Sequence, residues 1–203
     1  MTPGTATARI DNERSAMLAR SPRQMTVDQF LDIYEGVEGR YELVNGVVYA
    51  MAGGTVRHAR VGGRITAALE ARLAGTGCQP FNADMGLRLT DETIRYPDAA
   101  VYCDPRDLDL DDVKARDFRH PKVIFEVLSP STEDDDRGLK VVQYKRLASV
   151  AAIVLVDPVG RRIEVHERRA ADDWLHRLLP PGSDLHLADP PVVLTDSDIF
   201  GPV

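Results

Sequence analysis

The fold of this chain is indicated most clearly by the segment FEVLSPSTEDDDRGLKVVQYKR, residues 125–146. It begins inside an apolar run, KVIFEVL, of the kind that forms a buried strand. Glu126 lies in the middle of that run, and the alternation of a strand places it on the same face as Ile124 and Leu128. A carboxylate among aliphatic side chains is costly unless a cation compensates its charge. The compensating group is either one buried Arg or Lys or a bound metal ion.

A second acidic residue, Asp98, precedes another apolar run in the segment RYPDAAVYC. Aspartate is common after proline as a turn residue or cap, so this position alone leaves its role open. If the Asp98 strand pairs with the Glu126 strand, however, both carboxylates can bind one metal ion. Two hard oxygen ligands, together with a backbone carbonyl and waters, suit Mg²⁺ or Mn²⁺.

The segment STEDDDRGLKVVQYKRLAS predicts a helix directly after the Glu126 strand. Thr132 is a good N-cap, and the acidic residues after it suit the positive end of the helix dipole. Asp136, Lys140 and Tyr144 are spaced by four and therefore share one helix face. The pattern fits an exposed ion pair between Asp136 and Lys140. It also fits a lysine that leans over the two carboxylates to orient a water and offset the charge of a phosphate.

Local patterns predict the remaining elements. A capping box in TVDQFLDIYE predicts a short helix over about 26–35, and the Asn-Gly pair between YELV and VVYAM predicts a hairpin. The segment after GGTVRH predicts a longer helix. Its apolar stripe consists of Val61, Ile65, Ala68, Leu69 and Leu73. Arg57, Arg60 and Arg64 follow the same spacing one residue earlier and form a basic ridge beside the stripe.

The irregular alternation of helices and strands predicts an α/β (α+β) fold with a mixed sheet flanked by helices. CQPFNADMGLRL and TIRYPDAAVYC are expected to be strands before the Glu126 strand. VAAIVLVDP predicts a buried strand, and RRIEVHERR and DWLHRLL predict a meander that closes the sheet. The tail, DPPVVLTDSDIF, is expected to cover a sheet edge. Residues 1–24 are expected to be a flexible arm and residues 25–203 one domain.

Composition restricts the function classes. The chain has 203 residues and a formal net charge of -7, which counts against a passive nucleic-acid coat. An enzyme with a local basic patch and an acidic, metal-filled site is still compatible with that charge. No apolar run approaches a membrane span, and the N-terminal residues have no secretory h-region. Cys78 and Cys103 form no CxxC pair, so two free thiols in a cytoplasmic protein are expected.

Several motifs together resemble one known family. YELVNG, the histidine of VRHARV, YPDAAV, FEVLSPST with DRGLK and QY, and VLVDP resemble the Uma family of proposed endonucleases, within the PD-(D/E)xK group. The resemblance covers about residues 26–170. It implies a restriction endonuclease-like core preceded by an N-terminal helix and a β-hairpin. It also implies a divalent-metal phosphodiesterase site at Glu42, Asp98, Glu126 and Lys140.

One position departs from the wider PD-(D/E)xK pattern, which requires a lysine two residues after the acid. Leu128 occupies that position and cannot act on water. As in the Uma pattern, the lysine would come from the following helix at Lys140. Lys145 lies on a different part of that helix, and Lys122 lies too far along the strand. The carbonyl of Val127 is the expected third metal ligand.

The resemblance also suggests roles around the metal. Glu42 would hold a metal-bound water or a second ion, and Tyr144 with Asp136 would hold the stem of Lys140. His58 shares the apolar helix face, so a core position is the default, but the family pattern favours a supporting role beside the ligands. The basic ridge is the expected contact for the phosphate backbone.

The expected function is therefore a Mg²⁺-dependent DNA endonuclease, which would act as a homodimer if it cuts both strands. Two alternatives stay open at this level. One is a nuclease-fold binding module that no longer cleaves. The other is a metal phosphodiesterase that acts on RNA or another phosphoester.

Overall fold

The computed structural model describes residues 24–34, 36–51, 53–109, 111–112, 115–130 and 133–202. The expected flexible arm lies outside the described residues except for Gln24, and so does the expected N-cap Thr132. None of the helices in the described ranges is both long enough and apolar enough to cross a bilayer.

The helices and strands follow the predicted order. The helices are α1 Val27–Tyr34, α2 Val56–Leu73, α3, which combines Glu133–Asp135, Asp136–Lys140 and Val141–Lys145, and α4 Asp196–Phe200. The middle segment of α3 is π-helical. The strands are β1 Tyr41–Val44, β2 Val47–Ala50, β3 Gln79–Asn82, β4 Gly86–Thr90, β5 Thr93–Arg95, β6 Ala99–Tyr102, β7 Asp117–Phe118, β8 Pro121–Val127, β9 Ala152–Asp157, β10 Arg162–Arg168, β11 Trp174–Leu179, β12 Leu185–Ala188 and β13 Pro191–Leu194.

The local signals that predicted the first elements are present in the structure. Thr26 and Gln29 exchange the two hydrogen bonds of a capping box at the start of α1, with N–O distances of 3.0 and 3.3 Å. Asn45 and Gly46 have φ angles of 50° and 75°, as a two-residue hairpin turn of type I′ requires. Both predictions are confirmed.

A six-stranded mixed sheet forms the centre of the fold. Its order is β11-β10-β9-β8-β6-β3, and β8 and β9 are parallel while the other pairs are antiparallel. One face packs with α2, and the other packs with α3. Phe125 points to the α2 side, whereas Ile124 and Leu128 point to the α3 side. Glu126 therefore points toward α3, as the alternation predicted.

The two segments expected as single strands before β8 each divide between two sheets. CQPFNADMGLRL forms β3 and β4, and TIRYPDAAVYC forms β5 and β6. A second, five-stranded sheet has the order β2-β1-β5-β4-β7. The first segment breaks where the Asn82 side chain accepts a hydrogen bond from the Asp84 amide, at 3.0 Å. The second breaks at Pro97, which has no amide hydrogen to continue a ladder.

The C-terminal tail covers a face and not a sheet edge, so that expectation is wrong. β12 and β13 pair with each other as a separate ribbon, and α4 follows them. Alternate apolar residues of the ribbon, such as Leu187 and Val192, join Ile199 of α4 in one buried cluster with Ile65 of α2. Alternation along β12 and β13 gives the ribbon one apolar face. That face is buried because it packs with α2 and α4.

Cys78 and Cys103 form a disulfide, so the expectation of free thiols is wrong. β3 and β6 pair antiparallel with Gln79 opposite Tyr102, which places the cysteines one step further along and opposite each other. Their Cα atoms are 4.1 Å apart although 25 residues separate them in sequence. Spacing alone could not reveal this partnership, because the strand register creates it.

We expect the Cys78→Ser/Cys103→Ser variant to lose about 2–4 kcal/mol of unfolding free energy, the usual contribution of one disulfide. The bond limits the freedom of the unfolded chain between the two cysteines. Urea titration of both proteins measures the difference. Reduction with dithiothreitol should shift the wild type to the midpoint of the variant and leave the variant unchanged. Equal midpoints for oxidised wild type and variant would show that the bond is absent in solution.

Candidate functional site

Glu126 is buried beneath α3, with 2% of its surface exposed. Its Oε1 accepts a hydrogen bond from the Tyr144 hydroxyl at 2.7 Å and lies 3.2 Å from Lys140 Nζ. Burial raises the pKa of the Glu126 carboxyl, the nearby charges of Asp98 and Asp136 add to the rise, and Lys140 opposes it. The cation required by a carboxylate in an apolar strand is thus present in the chain itself.

Lys140 is the lysine that reaches Glu126, and it also contacts its own helix. Its ammonium lies 2.8 Å from Asp136 Oδ1, and the side chain is almost fully buried. Burial lowers the pKa of Lys140, but Glu126 and Asp136 together raise it above its usual value, so the group stays charged. Asp136, Lys140 and Tyr144 share one face of α3, although the first two belong to its π-helical segment.

The other two lysines considered from sequence lie elsewhere. Lys145 Nζ lies 5.4 Å from the centre of the Trp174 ring, and Lys122 pairs with Asp189 at 2.7 Å. Leu128 is buried in the apolar cluster beneath α3. Lys140 of α3 can therefore take the place of the lysine that the wider PD-(D/E)xK pattern has at position 128, because α3 folds back over the end of β8.

Asp98 lies beside Glu126 because β6 pairs with β8. Ala99 is opposite Phe125 in this antiparallel ladder, so the preceding residue, Asp98, is next to Glu126. Asp98 Oδ2 accepts a hydrogen bond from the backbone amide of Val127 at 2.7 Å. The strand pairing on which the shared metal site depended is present.

The backbone of Val127 faces Asp98. Leu128 N donates to Val156 O on the β9 side at 2.8 Å. Successive residues of a strand direct their amide and carbonyl groups to alternate sides. The amide and carbonyl of Val127 therefore point away from β9 and toward the strand that leads from Asp98.

His58, in the first turn of α2, contacts Asp98 and lies outside the apolar cluster of that helix. Its Nε2 is 3.3 Å from Asp98 Oδ2, and the side chain is half-buried in a cleft wall. The hydrogen bond to Asp98 raises the pKa of His58, and burial opposes the rise. The His58 side chain therefore contacts Asp98 and is not part of the apolar core cluster beside α2.

Glu42 reaches the same region from β1 through Arg95, a residue that sequence reasoning missed. Arg95 is 2% exposed and contacts Glu42 Oε1 at 2.7 Å, Asp135 Oδ2 at 3.0 Å and Gln143 Oε1 at 3.1 Å. It therefore links the five-stranded sheet to α3. The sequence signal for Arg95 was a charged residue inside the β-type segment TIRY, as Glu126 is a charged residue inside KVIFEVL.

These side chains line one cleft of about 1200 Å³ between the hairpin, α2 and α3. Its acidic residues are Glu42, Glu70, Asp84, Asp98, Glu126, Asp135 and Asp136, and its lysine and arginines are Arg40, Arg95 and Lys140. These acids outnumber the lysine and the two arginines by seven to three. A cleft with this excess repels phosphate and attracts cations.

The cleft residues fit a divalent cation with several waters. Glu42 Oε2 is buried and has no hydrogen-bond partner among the described residues, so it is available as a ligand or water acceptor. Asp98 and Glu126 supply carboxylate oxygens, which Mg²⁺ accepts in small number because it keeps several waters. Within the described ranges these three acids do not form a tight ligand cluster, which occurs elsewhere at Glu164, His166 and His176.

The basic ridge faces away from this cleft. Arg57, Arg60 and Arg64 share one side of α2, as predicted, but that side is centred roughly 140° from the residues of α2 that line the cleft. Arg57 and Arg60 are exposed. Arg64 donates a hydrogen bond to the backbone carbonyl of Ser197 at the start of α4.

The chain is similar to known proteins over most of its length. The Uma2 family, described as "Putative restriction endonuclease", matches residues 27–194. Protein slr1290 of Synechocystis sp. is 30% identical over 165 residues, which are 78% of this chain and 84% of the relative. Protein sll1609 of the same organism is 24% identical over 161 residues, which are 78% of this chain and 89% of the relative.

The fold is similar to that of a solved structure. That structure is described as a "putative nuclease belonging to DUF820" from Anabaena variabilis, and it superposes with a TM-score of 0.66 at 15% sequence identity. The match covers 87% of this chain and 97% of that chain. At this identity the likeness concerns the fold, and it confirms the predicted restriction endonuclease-like class.

Proposed function

The chain belongs to the Uma2 family, and on that premise we propose that it is an endonuclease that hydrolyses phosphodiester bonds in DNA with bound Mg²⁺ or Mn²⁺. The observation that carries this proposal is the meeting of Asp98, Glu126 and Lys140 at one end of the cleft. The family description and the shared fold support a nuclease. The choice of DNA rests on the words "restriction endonuclease" in that description.

Asp98 and Glu126, with the Val127 carbonyl, are the proposed ligands of the ion, and Glu42 is proposed to hold a metal-bound water or a second ion. The bound ion would lower the pKa of a coordinated water and polarise a phosphoryl oxygen. Glu126 and Asp136 both lie against Lys140, and the raised pKa of Glu126 reflects the cost of its negative charge in this buried place. A bound cation would offset that cost and favour the ionised form of Glu126.

Lys140 is proposed to orient the attacking water and to offset negative charge on the phosphate. Its position is suited to this role because Asp136 holds the ammonium at 2.8 Å while Glu126 lies beside it. The Tyr144 hydroxyl fixes Glu126 Oε1, and His58 fixes Asp98 Oδ2. Four contacts thus hold Lys140, Glu126 and Asp98 in position before a substrate phosphate binds.

Incubation of the purified chain with supercoiled plasmid tests the proposal. We expect nicking in Mg²⁺ or Mn²⁺, none with a chelator, and none from Glu126→Gln prepared in parallel. Cleavage of RNA but not of plasmid would overturn the choice of DNA and favour the phosphodiesterase alternative. Binding of DNA without cleavage of either polymer would favour the non-catalytic module. Light scattering would measure the molecular mass of the protein in solution and so test the proposed homodimer, which would allow both strands to be cut.

We also propose that Arg57 and Arg60 contact the phosphate backbone outside the cleft, since both are exposed on one side of α2. Arg64 contributes less because its guanidinium is bonded to Ser197. Arg57→Gln/Arg60→Gln should weaken binding to any DNA sequence and reduce the slope of log K against log salt by about 2, roughly one per contact removed.

The matched control for this double variant is Arg162→Gln/Arg169→Gln, which removes two exposed arginines from β10 and the turn after it. It has the same effect on net charge, so it corrects for long-range attraction. If both double variants change the salt slope equally, the ridge has no specific contact with nucleic acid.

A further inference from the structure

A second group of ionisable side chains lies on β10 and β11, outside the cleft. Glu164 and His166 are two residues apart on β10 and so share one face of the sheet. His176 of β11 lies directly opposite His166 in the antiparallel ladder. The neighbours Ile163 and Val165 point to the α2 side, so the three polar residues lie on the α3 side.

The distances among these side chains suit one metal ion. Glu164 Oε1 lies 3.0 Å from His176 Nε2 and 3.2 Å from His166 Nε2, and all three ligand atoms lie within 4.8 Å of one another. In a tetrahedral zinc site with bonds of about 2.0–2.1 Å, neighbouring ligand atoms are about 3.3 Å apart. Two of the three separations are therefore already close to those of a zinc site.

His166 is short of partners in the folded chain. Both of its ring nitrogens are buried without a hydrogen bond among the described residues, although Nε2 lies close to Glu164. A metal ion bound at Nε2 would give this nitrogen the partner that it lacks among the described residues.

We propose that Glu164, His166 and His176 form a binding site for one Zn²⁺ ion, separate from the proposed Mg²⁺ site in the cleft. Two imidazoles and one carboxylate are typical ligands of zinc, whereas the cleft supplies oxygen ligands that suit Mg²⁺. Three protein ligands leave the fourth tetrahedral position for water. The ExH pattern in EVHER was the sequence signal for this site, and the register with His176 completes it.

Binding requires one ring to turn. The His166 and His176 rings are stacked, with centroids 4.6 Å apart and planes 12° from parallel. A ligated ion lies in the plane of each imidazole, and two nearly parallel planes cannot both contain it. His176 is exposed, so its ring can turn about χ2 while the less exposed His166 keeps its place.

The proposed ion would also steady the helix that carries Lys140. Glu164 Oε2 pairs with Arg137 of α3, and Arg137 Nε contacts Glu133 Oε1 at 2.9 Å. Glu126 and Glu164 are each opposite Leu155 on β9, so they lie in one row across the sheet. Two strand spacings separate them by about 10 Å. A metal ion on Oε1 would hold Glu164 in the orientation that Arg137 contacts.

Calorimetric titration with Zn²⁺ in excess Mg²⁺ tests the site, because Mg²⁺ is the ion proposed for the cleft and competes poorly for imidazole. We expect one equivalent of Zn²⁺ to bind to wild type. His176→Ala should bind it about 10-fold or more weakly, since an exposed ligand is lost without disturbing the core. His186→Ala, which removes an exposed histidine of β12, is the matched control and should bind as wild type does. Titration with Co²⁺ should give the visible absorption of a tetrahedral site in wild type and lose it in His176→Ala.

Asp98→Asn separates this inference from the proposed nuclease. It should keep Zn²⁺ binding while it loses the cleft cation, because the two sites share no ligand. Zn²⁺ affinity that falls in Asp98→Asn and is unchanged in His176→Ala would place the ion in the cleft and overturn the inference. Absence of Zn²⁺ binding to wild type would overturn it equally, whatever the outcome of the cleavage assay.

Discussion

Glu126→Gln and Asp98→Asn are each expected to abolish the binding of Mn²⁺ in the cleft and the stabilisation that accompanies it. Both substitutions keep the shape of the side chain and remove one anionic ligand. Each also keeps a carbonyl oxygen to accept the present hydrogen bond, from Tyr144 in one case and from the Val127 amide in the other. Folding should therefore survive, and the loss should be confined to the cation.

Calorimetry and thermal unfolding with and without Mn²⁺ measure this effect. A cation at 100 times its dissociation constant stabilises the folded wild type by about 2.7 kcal/mol, and neither variant should show that gain. Glu70→Gln is the matched control, since Glu70 is an exposed acid on the α2 wall of the same cleft. It should respond to Mn²⁺ as wild type does. A full Mn²⁺ response in both Asp98→Asn and Glu126→Gln would rule out these residues as ligands.

Lys140→Met is expected to lower the cleavage rate by about 10²-fold or more, the loss seen when one electrostatic group is removed from a transition state. Its structural position adds a second expectation. In the metal-free variant, Glu126 and Asp136 lose the Lys140 ammonium, which lies 3.2 and 2.8 Å from their oxygens in the wild type. Breaking a buried ion pair by removing one partner costs about 3–5 kcal/mol, so the metal-free variant should be clearly less stable. Mn²⁺ should recover part of that loss by replacing the missing positive charge.

Single-turnover nicking of plasmid at saturating Mn²⁺, at a temperature where circular dichroism shows the variant folded, measures the rate. Lys145→Met is the control from the same helix, because that lysine lies over Trp174 and away from Glu126. It should cleave as fast as wild type. Cleavage by Lys140→Met at the wild-type rate would remove Lys140 from the mechanism and leave it a structural partner of the two acids.

Much of the fold could be predicted because its signals are local. The capping box of α1 and the Asn-Gly hairpin each depend on residues a few positions apart. The alternation that pointed Glu126 toward a covered face depends on the geometry of one strand. The proximity of Lys140 to Glu126 also followed from a short connection, although the π-helical form of Asp136–Lys140 was not predicted.

Other features depended on which strands pair and in which register. The partner of Glu42, Arg95, is 53 residues away from it, and the disulfide joins two strand ends that only the β3–β6 register brings together. His166 and His176 become neighbours in the same way across β10 and β11. None of these pairs could be predicted from a periodic pattern in the sequence.

Sequence patterns were enough to predict the element order, the face of the strand on which Glu126 lies, and the family to which the chain belongs. The folded chain was needed to show that the strands divide between two large sheets, that the arginine ridge of α2 faces away from the cleft, and that His58 lies against Asp98. This difference follows from the range of the forces involved. Backbone geometry and hydrophobic periodicity act over a few residues, whereas the side of a helix that becomes a cleft wall depends on every element packed around it.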